Sequence, residues 1–374
     1  MSTNRNAKTA RSVRAGSAAL VPDMRAAPLN RELSMLAFNR RVLAQAQDES
    51  IPLLERLKYL CIVSSNLDEF FEVRIASLMA REREGNDLAH ARPVVPQGFD
   101  LVSPAAQALV REQYAVLNDE ILPALAKHGI YLRRHIDRND RQRAWVRDYF
   151  DREVRPLLTP IVLDPSHPFP QIVNKSLNFI VELGGKDAYG RGTSIAVIKA
   201  PRVLPRIIRL PAHSPETEHD YCLLSSVIHA HIQDLFPGRE VISYSQFRVT
   251  RDSELWVDEE EVKNLRQALK GELQARHFGF AVRLEVAENC PPNLSQFLLE
   301  QFTIAPEFLY RVNGPVNMVR LNELVELASA ADFRFAPFSP KLSVQLADGD
   351  LFSAIAHQDI LLHHPYPVSY THLT

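Results

Sequence analysis

Ser64-Ser65-Asn66-Leu67-Asp68-Glu69-Phe70-Phe71 places helix-capping residues, paired carboxylates and paired aromatics side by side. Ser65 and Asn66 are N-cap types, and Glu69 follows Asn66 at the spacing of a capping box. Phe70 with Val73, and Phe71 with Ile75 and Leu78, recur at helical intervals. The pattern predicts a helix opened by Asn66, whose free backbone N–H groups and positive dipole end would face a small anion beside that side chain. An asparagine ahead of a helix also serves as a cap and nothing more, so spacing alone leaves both roles open.

Upstream and downstream of this stretch the pattern stays helical from Leu29 to His128. Leu33, Leu36, Ala37, Leu43 and Ala44 form one apolar stripe, and Leu53, Leu54, Leu57, Leu60 and Cys61 form another. After a proline-rich connection over 92–103, Ser103 reads as a cap with Pro104 at the first helical position. Leu109, Val110, Leu117, Ile121 and Leu125 line that helix, and Gly129 marks its stop. A helix past Asp140 carries Trp145, Tyr149 and Phe150. The period then switches, with strands expected over 177–183, 193–200, 240–249 and 281–286 and helices over 221–236, 258–276 and 316–330. The fold class expected is α+β and multi-domain: an all-α helical bundle over 28–128, then an α+β domain over 129–338.

Composition narrows the function classes. A chain of 374 residues with 46% hydrophobic content buries a large core, and its formal net charge of −2 argues against a nucleic-acid protein. Cys61, Cys222 and Cys290 are odd in number and far apart, which fits a reducing compartment and neither a disulfide framework nor a zinc site. No apolar run has the length of a bilayer span. Residues 1–27 carry Arg5, Lys8, Arg11, Arg14 and Arg25 among small polar residues and are expected to be a disordered, solvated tail.

Other chemistry-bearing residues give weaker signals. Asp164 and His167 stand in the stiff run Asp164-Pro165-Ser166-His167-Pro168, where a metal or acid–base role competes with loop-fixing bonds to backbone. His229 and His231 sit two apart on an expected helix and face different ways, and the extended pair His363-His364 also diverges. Gly184-Gly185-Lys186 lacks the hydroxyl residue and the first glycine of a phosphate loop. No catalytic residue and no metal ligand is assigned in this chain.

Several separated segments, in order, resemble the long-chain polyphosphate kinases that work through a phosphohistidine. They are Leu29-Asn30-Arg31-Glu32-Leu33-Ser34, Ile51-Pro52-Leu53-Leu54-Glu55-Arg56, the Asn66 run, 159–178 (TPIVLDPSHPFPQIVNKSLN), Leu235-Phe236-Pro237-Gly238, Phe247-Arg248-Val249-Thr250-Arg251-Asp252, Val282-Arg283-Leu284-Glu285-Val286 and Asp359-Ile360-Leu361-Leu362-His363-His364. Met35 departs from the tryptophan common there; a flexible thioether fills the same apolar gap. The resemblance implies that Asn66 contacts ATP, that 129–338 is the head domain with dimer contacts, and that 339–366 starts a phospholipase-D-like α/β domain cut before the catalytic histidines and the Mg2+ site. Residues 367–374 match nothing in that pattern, and apolar residues from about 340 onward are expected to be poorly packed. The resemblance further implies ATP and ADP as substrates with inorganic polyphosphate, a cytoplasmic homo-oligomer, and room for peripheral attachment at the inner membrane face. The competing expectation is a non-catalytic oligomerisation or scaffold module.

Overall fold

The computed structural model describes residues 29–84, 92–163, 169–185, 194–212, 219–252, 279–328, 331–336 and 350–361. Helix α1 (Arg31–Gln47) opens at Asn30, whose side-chain oxygen accepts the Leu33 N–H at 2.8 Å. Helix α2 (Leu53–Glu69) starts behind Pro52, and a π-helical turn, Phe70–Ile75, carries it without a break into α3 (Ala76–Glu84). Asn66 therefore lies inside a helix: its carbonyl accepts the Phe70 N–H, and the expected N-cap, its capping box with Glu69 and an anion-facing helix end are corrected. The reason is packing. Val63, Leu67, Phe70 and Phe71 are all buried and extend the apolar stripe of 53–61 through the polar run. Each such side chain contributes about 1.5–3 kcal/mol, against about 1 kcal/mol for a cap.

The π turn has a geometric origin. Leu67, Phe71, Ile75 and Met79 are buried at steps of four residues, which on a 3.6-residue helix would drift round the axis. A wider turn at Phe70–Ile75 absorbs the drift and keeps all four inside. Helix α4 (Phe99–Ala115) also differs from expectation: it begins after Gly98, at φ +77°, and Pro104 lies within it instead of at its start. The N–H that Pro104 lacks would have reached the carbonyl of Asp100, which is exposed to water. A second π turn (Val116–Ile121) joins α4 to α5 (Leu122–Lys127), and Gly129, at φ +78°, follows as the stop signal foresaw.

Past the bundle, β1 (Ile130–Leu132) is followed by α6 (Asp140–Tyr149), opened by a true capping box between Asn139 and Gln142. A six-stranded sheet has the order β2-β4-β3-β7-β8-β9, formed by β2 (Pro160–Val162), β3 (Asn178–Gly184), β4 (Ser194–Lys199), β7 (Glu240–Arg251), β8 (Ala281–Ala287) and β9 (Leu309–Val312). All its pairs are antiparallel except β8 with β9. A small sheet sets β6 (His219–Leu223) between β1, parallel, and β5 (Ile207–Arg209), antiparallel. The helix expected over 221–236 thus starts as a strand and becomes α7 (Leu224–Ala230) only after Leu223. Helices α8 (Pro292–Phe302) and α9 (Asn322–Leu327) follow. The helix expected over 258–276 lies outside the described residues. Helix α10 (Leu351–His357) leaves Phe352 and Ile355 exposed, as is Leu361 beyond it, in keeping with the poor packing expected there.

The bundle is fastened to the larger sheet by buried charge. Register pairs Arg248 with Glu285 and Thr250 with Arg283, so alternation along β7 and β8 puts these four on one face and Phe247, Val249, Leu284 and Val286 on the other. Asp68 of α2 comes down on the polar face. Its two carboxylate oxygens accept Arg248 Nη1 at 3.0 Å and Nη2 at 2.8 Å, and Arg283 Nη2 donates to the same carboxylate. Glu285 bonds Arg248 and lies 3.1 Å from Arg283, while both guanidiniums are only 1% exposed. Arg283 also stands 4.7 Å over the Phe71 ring. Two acids and two bases cancel, which makes full burial tolerable.

Burial pushes the Asp68 carboxyl up, but Arg248 and Arg283 outweigh it and hold the group below its ordinary range. Asp68→Asn is expected to lower the unfolding free energy by about 3–5 kcal/mol at neutral pH, because it leaves buried guanidiniums undercompensated. A folded pKa below the unfolded value of 3.8 means the carboxylate stabilises above that value, and the benefit fades as pH falls through the folded one. The gap between parent and variant should therefore close in strong acid. Urea unfolding at neutral and at strongly acid pH reads this directly, and equal midpoints at neutral pH would refute it.

Candidate functional site

Two cavities flank helix α2. The first lies between α1 and α2, encloses about 350 Å3 and is lined by Arg31, Ser34, Met35, Phe38, Asn39, Asn66 and Glu69. Asn66 is half-buried there and donates through Nδ2 to Oδ1 of Asn39 at 2.8 Å; Asn39 is itself buried on α1. This single bond fixes the Asn66 carboxamide at the rim, where the Phe38 ring is 51% exposed with the Arg41 guanidinium 5.5 Å from its centroid, and Arg31 and Glu69 supply opposite charges. Met35 stands in the same wall. Amide groups beside a half-exposed aromatic ring and a volume near the lower end of small-molecule pockets suit a planar, hydrogen-bonding group.

The second cavity, about 630 Å3, lies between α2, the larger sheet and the segment after β9. On its α2 wall, Glu72 accepts Lys175 Nζ at 2.5 Å and Asn174 Nδ2 at 2.7 Å. Lys175 holds a left-handed backbone at φ +57°. The opposite wall carries Arg202, Arg206 and Arg320. Nothing in the sequence spacing linked these three arginines to Asp68 or Glu72.

Histidines separate as the spacing implied. His231 sets Nδ1 3.0 Å from Asp234 Oδ2 and stacks on Phe150, whereas the His229 ring lies tilted by 32° with its centroid 4.3 Å from that of His135 and meets Tyr244 edge-on. The His135–His229 contact was not foreseen, since β1 and α7 are brought together only by the parallel pairing of β1 and β6. Among the described residues no cluster of three or more His, Cys, Asp or Glu is arranged to hold a metal. Asp164, His167, His363 and His364 lie outside those residues. Cys61, Cys222 and Cys290 are free and buried, and burial pushes the Cys61 thiol up to about 12 and Cys222 to about 11, far from a reactive thiolate. No helix among the described residues is long and apolar enough to cross a membrane.

The polyphosphate kinase N-terminal domain model matches residues 28–133, and the polyphosphate kinase middle domain model matches residues 141–324. A polyphosphate kinase from Neisseria meningitidis serogroup C is 50% identical over 345 residues, covering 90% of this chain and 50% of the relative. One from Pseudomonas putida is 51% identical over 340 residues, covering 90% and 47%. The crystal structure of polyphosphate kinase from Porphyromonas gingivalis superposes with a TM-score of 0.74 at 28% identity, over 91% of this chain and 47% of that one. The chain spans about half the length of the curated relatives it matches.

The adjacent rings of His135 and His229 give a pH expectation. Burial, then His135 and Arg138, push His229 down to about 4. A folded pKa below the unfolded one means the neutral ring stabilises above about pH 6.5 and that this contribution is lost as pH falls toward 4. Acidification through that window should therefore weaken the parent chain more than His229→Gln. Denaturant midpoints across the window measure the difference, and parallel curves would refute it.

Proposed function

The chain belongs to the polyphosphate kinase family, whose N-terminal and middle domains it carries, and from that premise we propose that it supplies one wall of an ATP site. The enzyme so formed reversibly moves the terminal phosphate of ATP onto inorganic polyphosphate. The observation that carries this reading is the Asn66 carboxamide, held by Asn39 at the mouth of a cavity that also presents Phe38 and Arg31. An amide donates and accepts on the edge of a purine, and an exposed ring gives the base a face to lie on. The positive end of a helix plays no part, because Asn66 is interior to α2.

In this proposal the division of labour is physical. Phosphoryl transfer needs an in-line nucleophile and cationic neutralisation of crowded oxygens, with Mg2+ bridging the phosphates. The phosphohistidine, a second catalytic histidine and the Mg2+ ligands are assigned to the half of the relatives that this chain does not span. The chain by itself is then expected to bind nucleotide weakly and not to turn over. Residues 28–128 form the nucleotide wall, and residues 129–338 form the head domain that makes homo-oligomer contacts. Helix α10 belongs to the start of the phospholipase-D-like domain, whose remaining elements would cover Phe352 and Ile355. A cytoplasmic assembly, with peripheral attachment at the inner membrane face, completes the proposal.

The competing reading is a scaffold in which the Asn66–Asn39 bond merely ties α1 to α2. Titration of the chain with ATP separates them. Asn66→Ala is expected to weaken binding roughly three- to ten-fold, the loss of one or two neutral hydrogen bonds. Indistinguishable titrations of parent and variant would leave only the scaffold.

A further inference from the structure

A cavity of about 500 Å3 lies where the second π turn, β1, α7 and the ends of β8 and β9 meet, and it adjoins the arginine-lined cavity at Leu223, Ser225, Gln246 and Pro315. Leu117, Leu122, Leu132 and Val312 give it apolar walls. His135, from the turn His135–Asp137, and His229, from α7, bring two imidazole rings to it. Their centroids lie 4.3 Å apart, and among the described residues no nitrogen of either ring is hydrogen-bonded to protein. Burial, and Arg138 after it, lower the pKa of His135, while burial and then His135 lower that of His229 to about 4. Both rings are therefore neutral near pH 7, each with one N–H donor and one acceptor nitrogen.

Positive charge at this cavity is matched within the protein. Arg133 Nε donates to Asp220 Oδ1 at 2.6 Å, and the same guanidinium stands 4.0 Å over the Tyr131 ring. Arg134 donates to both oxygens of Asp137, at 2.9 and 3.3 Å. Glu288 adds an acid on the exposed rim. An anion thus meets no surplus of positive charge here, in contrast to the cavity beside it. One polar atom is left over: Gln246 Oε1 is buried with no hydrogen-bond partner among the described residues, and Gln246 lines the cavity. A buried acceptor in that state is costly until a donor answers it.

We propose that the cavity walled by His135, His229 and Gln246 is a binding site for a small uncharged heteroaromatic compound that carries an N–H donor. Its volume lies within the range of small-molecule pockets, and apolar walls with a few convergent polar groups are what such pockets share. The paired imidazoles give a flat ring an aromatic wall, and their unused nitrogens give its heteroatoms partners. Gln246 Oε1 takes the N–H, which is why a plain hydrocarbon fits less well: it would seal the acceptor away from water and leave it unanswered. No phosphate group is called for, so this site is separate in chemistry and in place from the one built around Asn66. Because the lining joins the end of the bundle to α7 and the ends of β8 and β9, an occupant also braces these elements against one another.

The test is NMR titration of the 374-residue chain with indazole, a neutral bicyclic probe with one N–H, and with 1-methylindazole, which lacks it. Indazole is expected to bind with a Kd on the order of 1 mM or tighter. The ring signals of His135 and His229 are expected to shift during the titration, and those of the exposed His357 to stay in place. Methylation of the probe is expected to weaken binding about five-fold, the loss of one neutral hydrogen bond. Gln246→Met keeps the side-chain length and removes the unanswered acceptor, so its urea midpoint should hold or rise while its indazole affinity falls about five-fold and its 1-methylindazole affinity does not change. Asn66→Ala is expected to leave indazole affinity within about two-fold, which separates this site from the proposed nucleotide wall. Three results would overturn the proposal: no saturable indazole binding, equal affinity for the two probes in the parent chain, or a loss of indazole affinity in Asn66→Ala with none in Gln246→Met. Benzoate, an anion of similar size, binding as tightly as indazole would do the same.

Discussion

Everything in this architecture is referred to the buried quartet of Asp68, Arg248, Arg283 and Glu285. It joins the middle of one helix to the centres of two strands, and each member is nearly or fully withdrawn from water. Such a cluster adds little net stability compared with an apolar core of equal volume, but it penalises every misplacement of the helix, since a slip of one residue would strand charges in a dry interior. Its role is therefore positional. Asp68 sets the rotation of α2 about its axis, and with it the directions in which Asn66 and Glu72 project.

The surrounding core holds that setting in place. Phe70 and Phe71 are fully buried and meet edge to face at 5.3 Å, and Phe71 touches Tyr310 on β9 in the same manner. Gln113 of α4 donates to the carbonyl of Leu60 at 2.8 Å, and the Cys61 thiol lies 3.4 Å from the carbonyl of Met318. One continuous cluster of buried apolar side chains runs from Leu36 to Ala328. The helical and sheet portions consequently share a single interior, and the helix that separates the two cavities has little freedom to roll.

Much of this was legible in the sequence, and the exceptions have identifiable causes. Long periodic segments announced themselves: the bundle from Leu29 to His128, and the strands β3, β4, β7 and β8, all matched the apolar rhythm. Strands of three residues, such as β1, β2 and β5, carry too few positions for any rhythm to register. Ser65, Asn66 and Glu69 misled because local capping preferences were outbid by burial on both sides of them. Asn66 still reached a cavity, through the face of a helix instead of its end. Convergence of Arg202, Arg206 and Arg320 was invisible because it is created by tertiary folding; the alternation of proline and arginine at 201–206 was its one local trace. The Arg248, Arg283 and Glu285 positions stood out only for their resemblance to family segments; that the three share a face follows from the register between β7 and β8, which no sequence period supplies.

Glu69 borders both cavities, which lie against neighbouring faces of the continuous rod from Leu53 to Glu84. Ser65, Asp68 and Glu72 face one chamber and Asn66 the other, so Glu69 stands on the ridge where two adjacent faces of the helix meet. Negative charge arriving in either chamber makes the potential at Glu69 and in the other chamber more negative, which raises the cost of placing a second anion there. Filling both with anions is thus electrostatically anticooperative unless cations accompany the second arrival.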